Sequence, residues 1–327
     1  MSRTDQILKY ADLSQKGIEV APYFNPTLRK SAGHDILILD VFDTDRLRRN
    51  AARDALIPDA RILEIEEVDL VGDASKIGEL VQGADVDGQI GFIISSHNFE
   101  HLPNPVLFLQ GAYAALKPGG VLSMAVPDCR ACFDFFRMPT RLADWLAAFH
   151  ENRQQPSAEA LFDGKAMGSV YMAQGNVQPG CNIATDDPAG FLPHQVLNAA
   201  YDTYLRDKKE PGEYRDAHCS VFFPESLELL LIDLRKLGLI GFDIVEISET
   251  AGLEFYVHLR KPDAATPVPE SDAAFYERRQ ELLRSVTENL GAAPYRNRSA
   301  DKRKQPKRPS PNTETAKRRR SWVFWKN

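Results

Sequence analysis

Short, almost wholly apolar segments alternate with helix-like segments along the N-terminal part of the chain. They predict strands over residues 17–21, 35–40, 68–72, 90–95 and 121–126. Strands that are apolar on both faces are typical of parallel sheets covered by helices on each side. The alternation of such strands with helices predicts a doubly wound α/β sheet.

Helical periodicity marks the segments between and after these strands. It predicts helices over residues 6–13, 44–55, 140–150, 223–237 and 271–290. Thr44 suits the N-cap of the helix over 44–55, and Pro224 suits the first turn of the helix over 223–237. Gly291 suits the end of the helix over 271–290. Residues 242–247 and 254–259 predict a closing strand pair, which brings the sheet to seven strands. Residues 129–215 interrupt the rhythm and predict a helical or irregular insertion after the fifth strand.

Charge is divided unevenly along the 327 residues. Residues 296–327 hold 12 basic and 2 acidic side chains, whereas the rest of the chain holds 28 basic and 44 acidic ones. An acidic body argues against nucleic acid as the main ligand. Four cysteines do not predict a disulfide framework, and no apolar run reaches the about 18 residues of a membrane span. We therefore expect a cytoplasmic protein.

Acidic and polar residues stand at the carboxyl ends of the predicted strands. Asp40 ends the second strand, where an acid often binds ribose hydroxyls. Asp73 follows the third strand, and Asp128 follows the fifth. Each aspartate taken alone is equally explained as a helix N-cap. Because these strand ends meet at one edge of a parallel sheet, their order along the chain favours a nucleotide-type site.

In this order the segments resemble class I S-adenosylmethionine (SAM) dependent methyltransferases, over roughly residues 17–260. The sequence GIEVAP at 17–22 resembles the first motif of that family, and LKPGG at 116–120 resembles the turn before the fifth strand. Residues 95–105, with Glu-His-Leu at their centre, resemble the signature after the fourth strand. The resemblance implies a Rossmann-like fold and SAM as cofactor. The implied cofactor contacts are Glu19, Ala21, Asp40, Asp73, Ala74, Ser95, Ser96 and His97.

A narrower resemblance covers residues 127–137, 216–224 and 252–255, which look like a bacterial methyltransferase subgroup that accompanies glycosyltransferases and polysaccharide assembly. It implies a saccharide or another polar small molecule as acceptor, methylated on oxygen. Ala21-Pro22 stands where the family usually has glycine. This departure leaves a second interpretation open, a non-catalytic SAM-fold module that binds a partner in a polysaccharide-assembly complex.

Methyl transfer to a hydroxyl benefits from a general base, and histidine is suited to that role near neutral pH. His218 is one candidate, because Asp216 two residues earlier would face the same way in an extended segment and orient the imidazole. His97 is another. Candidate acceptor contacts follow the fourth and fifth strands: Glu100, His101, Asp128, Arg130, Asp134 and Arg137. Each of these residues has an ordinary structural alternative, such as an internal salt bridge.

Aromatic residues of the insertion would form either a wall for a sugar or plain core: Phe133, Phe136, Trp145, Phe149, Tyr201 and Tyr204. Cys129-x-x-Cys132 lacks a second such pair to complete a zinc site, since Cys181 and Cys219 stand apart. We therefore expect no metal.

We predict five segments: a SAM-binding half (1–128), an acceptor-side insertion (129–215), the last strands (216–262), a C-terminal helix (263–295) and a disordered basic tail (296–327). The aromatic end of the tail, Trp322 to Trp325, would reinforce peripheral contact with an anionic membrane. A solvated tail or one that docks on a partner is the alternative. The sequence does not predict an oligomeric state.

Overall fold

The protein is built from short strands and α-helices, in a computed structural model that describes residues 1–194, 196–209, 214–263 and 271–292. In chain order the strands are β1 (Gly17–Val20), β2 (Ile36–Asp40), β3 (Leu70–Val71), β4 (Ile90–Ser96), β5 (Leu116–Pro127), β6 (Ser169–Ala173), β7 (Asn176–Gln178), β8 (Phe191–Pro193), β9 (Asp243–Ile247) and β10 (Glu254–Arg260). The α-helices are α1 (Arg3–Ile7), α2 (Thr44–Arg53), α3 (Asp59–Ile62), α4 (Ile77–Gly83), α5 (Pro105–Ala115), α6 (Leu142–His150), α7 (Ala158–Ala166), α8 (Leu197–Lys209), α9 (Pro224–Lys236) and α10 (Asp272–Ala292).

Seven strands form one sheet in the order β3-β2-β1-β4-β5-β10-β9. β1 to β5 pair in parallel, whereas β10 runs antiparallel to both of its neighbours. The prediction of a doubly wound, mostly parallel, seven-stranded Rossmann-like sheet is confirmed. The predicted closing strand pair is β9 and β10, which lie next to each other at the sheet edge.

The strand order reverses at β1, and this reversal locates the crevice in which such sheets bind ligands. Ile18 of β1 pairs with Leu37 on one side and Ile93 on the other. The chain moves outward from β1 to β3 and then returns to β4. The loops after β1 and β4 consequently leave the sheet side by side at its carboxyl edge.

Apolar side chains cover both faces of the central strands. Ile18 and Ile93 belong to one buried cluster, whereas Ile38 and Phe92 belong to a second cluster. β1 and the first six residues of β4 are buried throughout. This explains why these strands read as continuous apolar runs and not as alternating ones.

Phe99, directly after β4, joins the insertion to the sheet. Its ring centroid lies 5.9 Å from that of Phe108 on α5, 5.8 Å from Trp145 on α6 and 5.8 Å from Phe222. All four side chains are buried. The indole N–H of Trp145 also donates to the Ser220 hydroxyl at 2.9 Å. These contacts fix residues 216–223 against the loop that follows β4.

The insertion is more regular than we expected. Besides α6, α7 and α8 it contains a small antiparallel sheet in the order β7-β6-β8. Its aromatic core includes Phe135 and Phe191, whose rings stack at 4.2 Å. The chain then returns to the main sheet, where the Cys129 N–H donates to the Phe222 carbonyl at 2.8 Å.

Three helix ends differ from the prediction. Asp43, not Thr44, caps α2 by accepting the Arg46 N–H at 2.7 Å. The first helix lies earlier, over Arg3–Ile7, because Ser2 and Asp5 form a capping box. α10 passes through Gly291 to Ala292. Residues 296–327 lie outside the described part of the chain, so the disordered tail and its membrane contact stay predictions.

Within the described residues, no helix is both long and apolar enough to cross a membrane.

Two glycines let α4 and α5 approach closely. A Cβ atom on Gly111 would lie 2.7 Å from the backbone nitrogen of Gly78. We expect Gly111→Ala to lower the free energy of unfolding by about 1–3 kcal/mol, because backbone cannot yield as a flexible side chain can. Gly164→Ala is the matched helical control, since open space surrounds that position. It should leave stability unchanged or raise it by up to about 1 kcal/mol. Equal losses in both variants, measured by urea unfolding, would contradict this account of the helix contact.

Candidate functional site

The turn after β1 is held from within the sheet by Glu19. This buried carboxylate accepts the backbone N–H groups of Thr27 at 2.7 Å and Leu28 at 3.2 Å. Burial is the largest influence on Glu19 and raises its pKa. Ala21, directly after the strand, has a φ of 50°. This left-handed backbone normally favours glycine, so the turn keeps a glycine-like conformation although the residue is alanine.

Asp40, at the end of β2, carries a buried oxygen with no hydrogen-bond partner. Its Oδ1 accepts the Phe42 N–H at 3.1 Å, whereas its Oδ2 has no partner among the described residues. Burial raises the pKa of this carboxyl to about 6. A buried oxygen without a partner is costly unless a ligand donates a hydrogen bond to it.

Asp73 and Ala74 follow β3, as expected. Asp73 caps a short 3₁₀ turn by accepting the Ser75 N–H at 2.8 Å, and Ala74 is buried. The Ser75 hydroxyl is buried without a partner among the described residues. Asp73 thus acts as the cap that the alternative interpretation allowed, and Ser75 is a polar group at this edge that we had not singled out.

The residues after β4 meet the first helix. Ser95 is buried, and the Asn98 side-chain amide approaches its hydroxyl at 3.4 Å. The Ser96 hydroxyl accepts from the Arg3 guanidinium at 2.6 Å. His97 has a φ of 49°, and its Nε2 lies 2.7 Å from the Glu254 carboxylate. His97 is therefore engaged in an ion-pair network that also includes the N-terminal helix.

Glu254 is the centre of that network, and sequence reasoning did not identify it. Arg3 donates to both of its oxygens, at 2.8 Å and 3.1 Å, and the Tyr256 hydroxyl donates at 2.6 Å. Burial alone would raise the pKa of Glu254, but the hydrogen bonds from His97, Arg3 and Tyr256 outweigh it and lower the pKa to about 2. Its pairing opposite Pro127, at the end of β5, could have been the signal.

Glu100, His101 and His218 form a cluster between the loop after β4 and residues 216–223, in which Glu100 and His218 are buried and His101 is half-buried. Both carboxylate oxygens of Glu100 are buried, and neither has a hydrogen-bond partner among the described residues. The Nε2 atoms of His101 and His218 each lie 3.9 Å from its Oε1. The Nδ1 of His97 is 3.6 Å from the same oxygen. Three imidazoles thus surround one unpaired carboxylate.

Each of two cluster histidines is oriented by an aspartate, but the pairing differs from the prediction. Asp216 was expected to orient His218, yet its Oδ1 lies 3.0 Å from Nδ1 of His101. His218 instead places its Nδ1 in hydrogen-bond contact with Asp134. The reason is the buried position of Asp134, which lies beside residues 216–223 after the chain leaves β5. The expected pair was wrong because spacing along a strand does not reveal partners from other loops.

The aspartates hold their charge through these contacts. Burial would raise the pKa of Asp134, but His218 and Arg137 outweigh it and lower the pKa. Burial would also raise the pKa of Asp216, but the hydrogen bond with His101 lowers it overall. Burial would lower the pKa of His101, but the contact with Asp216 outweighs it and the pKa is raised.

The two arginines among the candidate acceptor contacts form internal ion pairs. Arg130 donates to both oxygens of Asp128, and its guanidinium lies 4.5 Å from the Phe223 ring centroid. Arg137 donates through Nη1 to Asp134 at 2.8 Å and to the His218 carbonyl at 2.9 Å. These contacts match the salt-bridge alternative for both residues.

The candidate aromatic wall is divided between surface and core. Trp145 is buried in the core, whereas Phe133 is exposed and lies 4.6 Å from the His218 ring. Tyr201 and Tyr204 stack on each other on α8. A cavity of about 430 Å³ is bordered by α6 and α7 and is lined by Leu102, Arg137 and Cys219 near the cluster, but by none of Glu100, His101 and His218. Its charged lining residues include Arg141, Asp144, Arg153, Glu159 and Asp163.

No family model and no curated protein matches this chain. Similar solved structures include a SAM-dependent methyltransferase from Aquifex aeolicus, with 13% identity, 79% of this chain and 89% of that chain covered, and a TM-score of 0.38. A SAM-dependent methyltransferase from Methanosarcina mazei has 14% identity and a TM-score of 0.38, with 78% of this chain and 96% of that chain covered. A glycopeptide N-methyltransferase complexed with sinefungin has 12% identity and a TM-score of 0.37, with 80% of this chain and 95% of that chain covered. These scores are low, and the fold assignment rests on the strand order of the chain itself.

The unpaired oxygen of Asp40 gives a pH-dependent prediction. The folded pKa is raised, so ionisation of Asp40 destabilises the folded state as pH rises from about 4 through about 6. Asp40→Asn should therefore raise the free energy of unfolding by about 1–3 kcal/mol near pH 7.5, and the gain should shrink toward pH 4. Asp35→Asn, at the exposed start of the same strand, should change little. Urea unfolding at both pH values measures this, and a constant or negative effect of Asp40→Asn would be the contrary result.

Proposed function

We propose that this protein is a SAM-dependent methyltransferase that acts on a polar small molecule, with transfer to oxygen of a saccharide as the finer assignment. One observation carries the proposal: Asp40 ends β2 with a buried, unpartnered oxygen, beside the crevice where the strand order reverses. An acid at this position is the usual partner of ribose hydroxyls in nucleotide-type sheets. The motifs around β1, β4 and β5 support SAM as the nucleotide.

The described residues fit such a cofactor on two counts. Asp40 offers a buried hydrogen-bond acceptor that no described residue uses. Ala21 has the left-handed backbone that a glycine would supply, so its replacement of glycine does not close the turn. The oxygens of Glu19 accept from Thr27 and Leu28. We therefore assign Glu19 to positioning the turn and Asp40 to direct cofactor binding.

When bound, SAM supplies an activated methyl group: the S–CH₃ bond breaks as the O–CH₃ bond forms, and the sulfonium becomes a neutral thioether. The protein's part is to align the acceptor and to take up the proton of its hydroxyl. We assign this part to Glu100, His101 and His218, because these polar side chains come together from the loop after β4 and from the segment before α9, with Glu100 and His218 buried. His97 is already bonded to Glu254 and belongs to the frame of the site.

A polar acceptor is supported by the cavity next to the cluster. The lining of this cavity carries both basic and acidic side chains, among them Arg141, Asp144 and Arg153. Such a lining suits a molecule with many hydroxyl groups better than an apolar one. The polysaccharide-assembly context is implied by the sequence resemblance and is part of the proposal.

Calorimetric titration with SAM and with its demethylated product tests cofactor binding. We expect one site per chain with micromolar affinity, lost in Asp40→Ala because the ribose would lose its acceptor. Asp35→Ala is the matched control, since Asp35 precedes the same strand at the opposite edge and is exposed. It should bind both ligands as the natural protein does.

Two outcomes would contradict this proposal. Absence of binding to the folded, full-length protein would favour the alternative of a non-catalytic module in a polysaccharide-assembly complex. Equal affinity in Asp40→Ala would show that a bound nucleotide does not use the end of β2. Circular dichroism of each variant confirms that the fold is intact.

Transfer itself is followed with SAM carrying a radiolabelled methyl group and a panel of saccharides. We expect label in a saccharide fraction, and we expect His218→Ala to slow incorporation by about 10²–10⁴-fold, the usual contribution of proton transfer. SAM affinity should stay unchanged, because His218 lies on the acceptor side. A variant that keeps the full rate would remove the Glu100–His101–His218 cluster from the reaction.

A further inference from the structure

The Glu100 carboxylate is buried without a hydrogen bond from any described residue. It is 1% exposed, and both of its oxygens are unpartnered among the described residues. A buried carboxylate of this kind is strongly destabilising unless a charge or a donor meets it. The nearest imidazole nitrogens are Nδ1 of His97 at 3.6 Å and the Nε2 atoms of His101 and His218 at 3.9 Å, all beyond hydrogen-bond length.

These distances are a few tenths of an ångström longer than those between two ligands of one metal ion. Zinc–nitrogen and zinc–oxygen bonds are about 2.0–2.2 Å long, so two ligand atoms in tetrahedral positions lie about 3.3–3.6 Å apart. The ligand atoms of Glu100, His101 and His218 all lie within 4.8 Å of one another. Small side-chain rotations would bring all three within range of a single ion.

The second ring nitrogen of each histidine is held as it is in metal sites. Nδ1 of His101 contacts Asp216, and Nδ1 of His218 contacts Asp134. A carboxylate that accepts the Nδ1 proton leaves the lone pair on Nε2, where a metal binds. Both Nε2 atoms approach the Glu100 carboxylate. This pairing of histidine with aspartate occurs twice at one point, and its partners come from three different loops.

Charge favours a divalent ion. Three carboxylates surround the two imidazoles, those of Glu100, Asp134 and Asp216, and one guanidinium, that of Arg137, opposes them. With neutral imidazoles the group carries a net charge of about −2. A divalent cation would neutralise this charge, and protonation of both imidazoles is the competing way to do so.

We propose that Glu100, His101 and His218 bind a divalent transition-metal ion of the zinc class, positioned by Asp216 and Asp134. Two histidines and one glutamate form a known ligand set of catalytic zinc sites, in which the fourth position takes water or substrate. This departs from our expectation of no metal. The metal's role rests on the proposed function and replaces direct proton uptake by the two imidazoles: the ion would bind the acceptor hydroxyl and lower its pKa, and the proton would leave to solvent.

Metal binding is tested on the full chain without a histidine tag. The protein is stripped with a chelator, titrated with Zn²⁺ by calorimetry, and its metal content is measured by plasma mass spectrometry. We expect one zinc per chain, lost in Glu100→Gln and in His101→Ala. Asp216→Asn should weaken binding about 10–100-fold, as loss of an orienting carboxylate does. His150→Ala removes an exposed histidine on α6 and should leave binding unchanged.

The contrary results are specific. Absence of zinc binding to the natural protein, or equal binding in Glu100→Gln and His101→Ala, would overturn the site and favour protonated imidazoles. SAM titration of the same variants serves as the check on folding, and it is independent of the metal. SAM binding without zinc binding would therefore reject the metal site and leave the cofactor site standing. If zinc binds but its removal leaves methyl transfer to saccharides at full rate, the proposed role toward the acceptor is wrong.

Discussion

The pairing of β1 with β4 is the contact on which the site depends. Val20 and Ser95 lie opposite each other in this pair, so the turns after the two strands leave the sheet together. Gly17 makes the pairing possible, because a Cβ at this position would lie 2.2 Å from the ring of Phe92. The crevice is thus created by the direction in which strands are added to the sheet. Its polar residues come from segments that are distant in sequence.

That crevice concentrates buried charge that the protein does not fully compensate. Asp40 and Glu100 both hold carboxylate oxygens without a hydrogen-bond partner among the described residues, whereas Glu19, Asp134 and Glu254 are hydrogen-bonded. The hydrogen-bonded acids fix the loops, whereas Asp40 ends β2 and Glu100 follows β4. Buried polar groups that lack a hydrogen-bond partner are typical of binding sites, where a ligand supplies the missing interaction. Whether a buried acid is already hydrogen-bonded therefore distinguishes the proposed positioning residues from the proposed ligand-binding residues better than residue type does.

The sequence predicted the sheet well because buried parallel strands have a local signature. All five parallel strands and the closing pair lie within a few residues of their expected positions, except that β5 begins earlier, at Leu116. It failed where partners come from distant segments. The Arg3–Glu254 ion pair and the contact of His218 with Asp134 leave no mark in local periodicity. The small sheet of the insertion was missed for a related reason, since its strands are short and partly exposed.

The bond between Arg3 and Glu254 also has a consequence for synthesis on the ribosome. One partner precedes the first strand of the sheet in the chain, and the other belongs to the last strand of the sheet. The loop after β4, which both residues contact through Ser96 and His97, can reach its final arrangement only when β10 has left the exit tunnel. Contacts of such large sequence separation form late and slowly. A nascent chain therefore gains no stability from ligands at this crevice until nearly the whole sheet has been made.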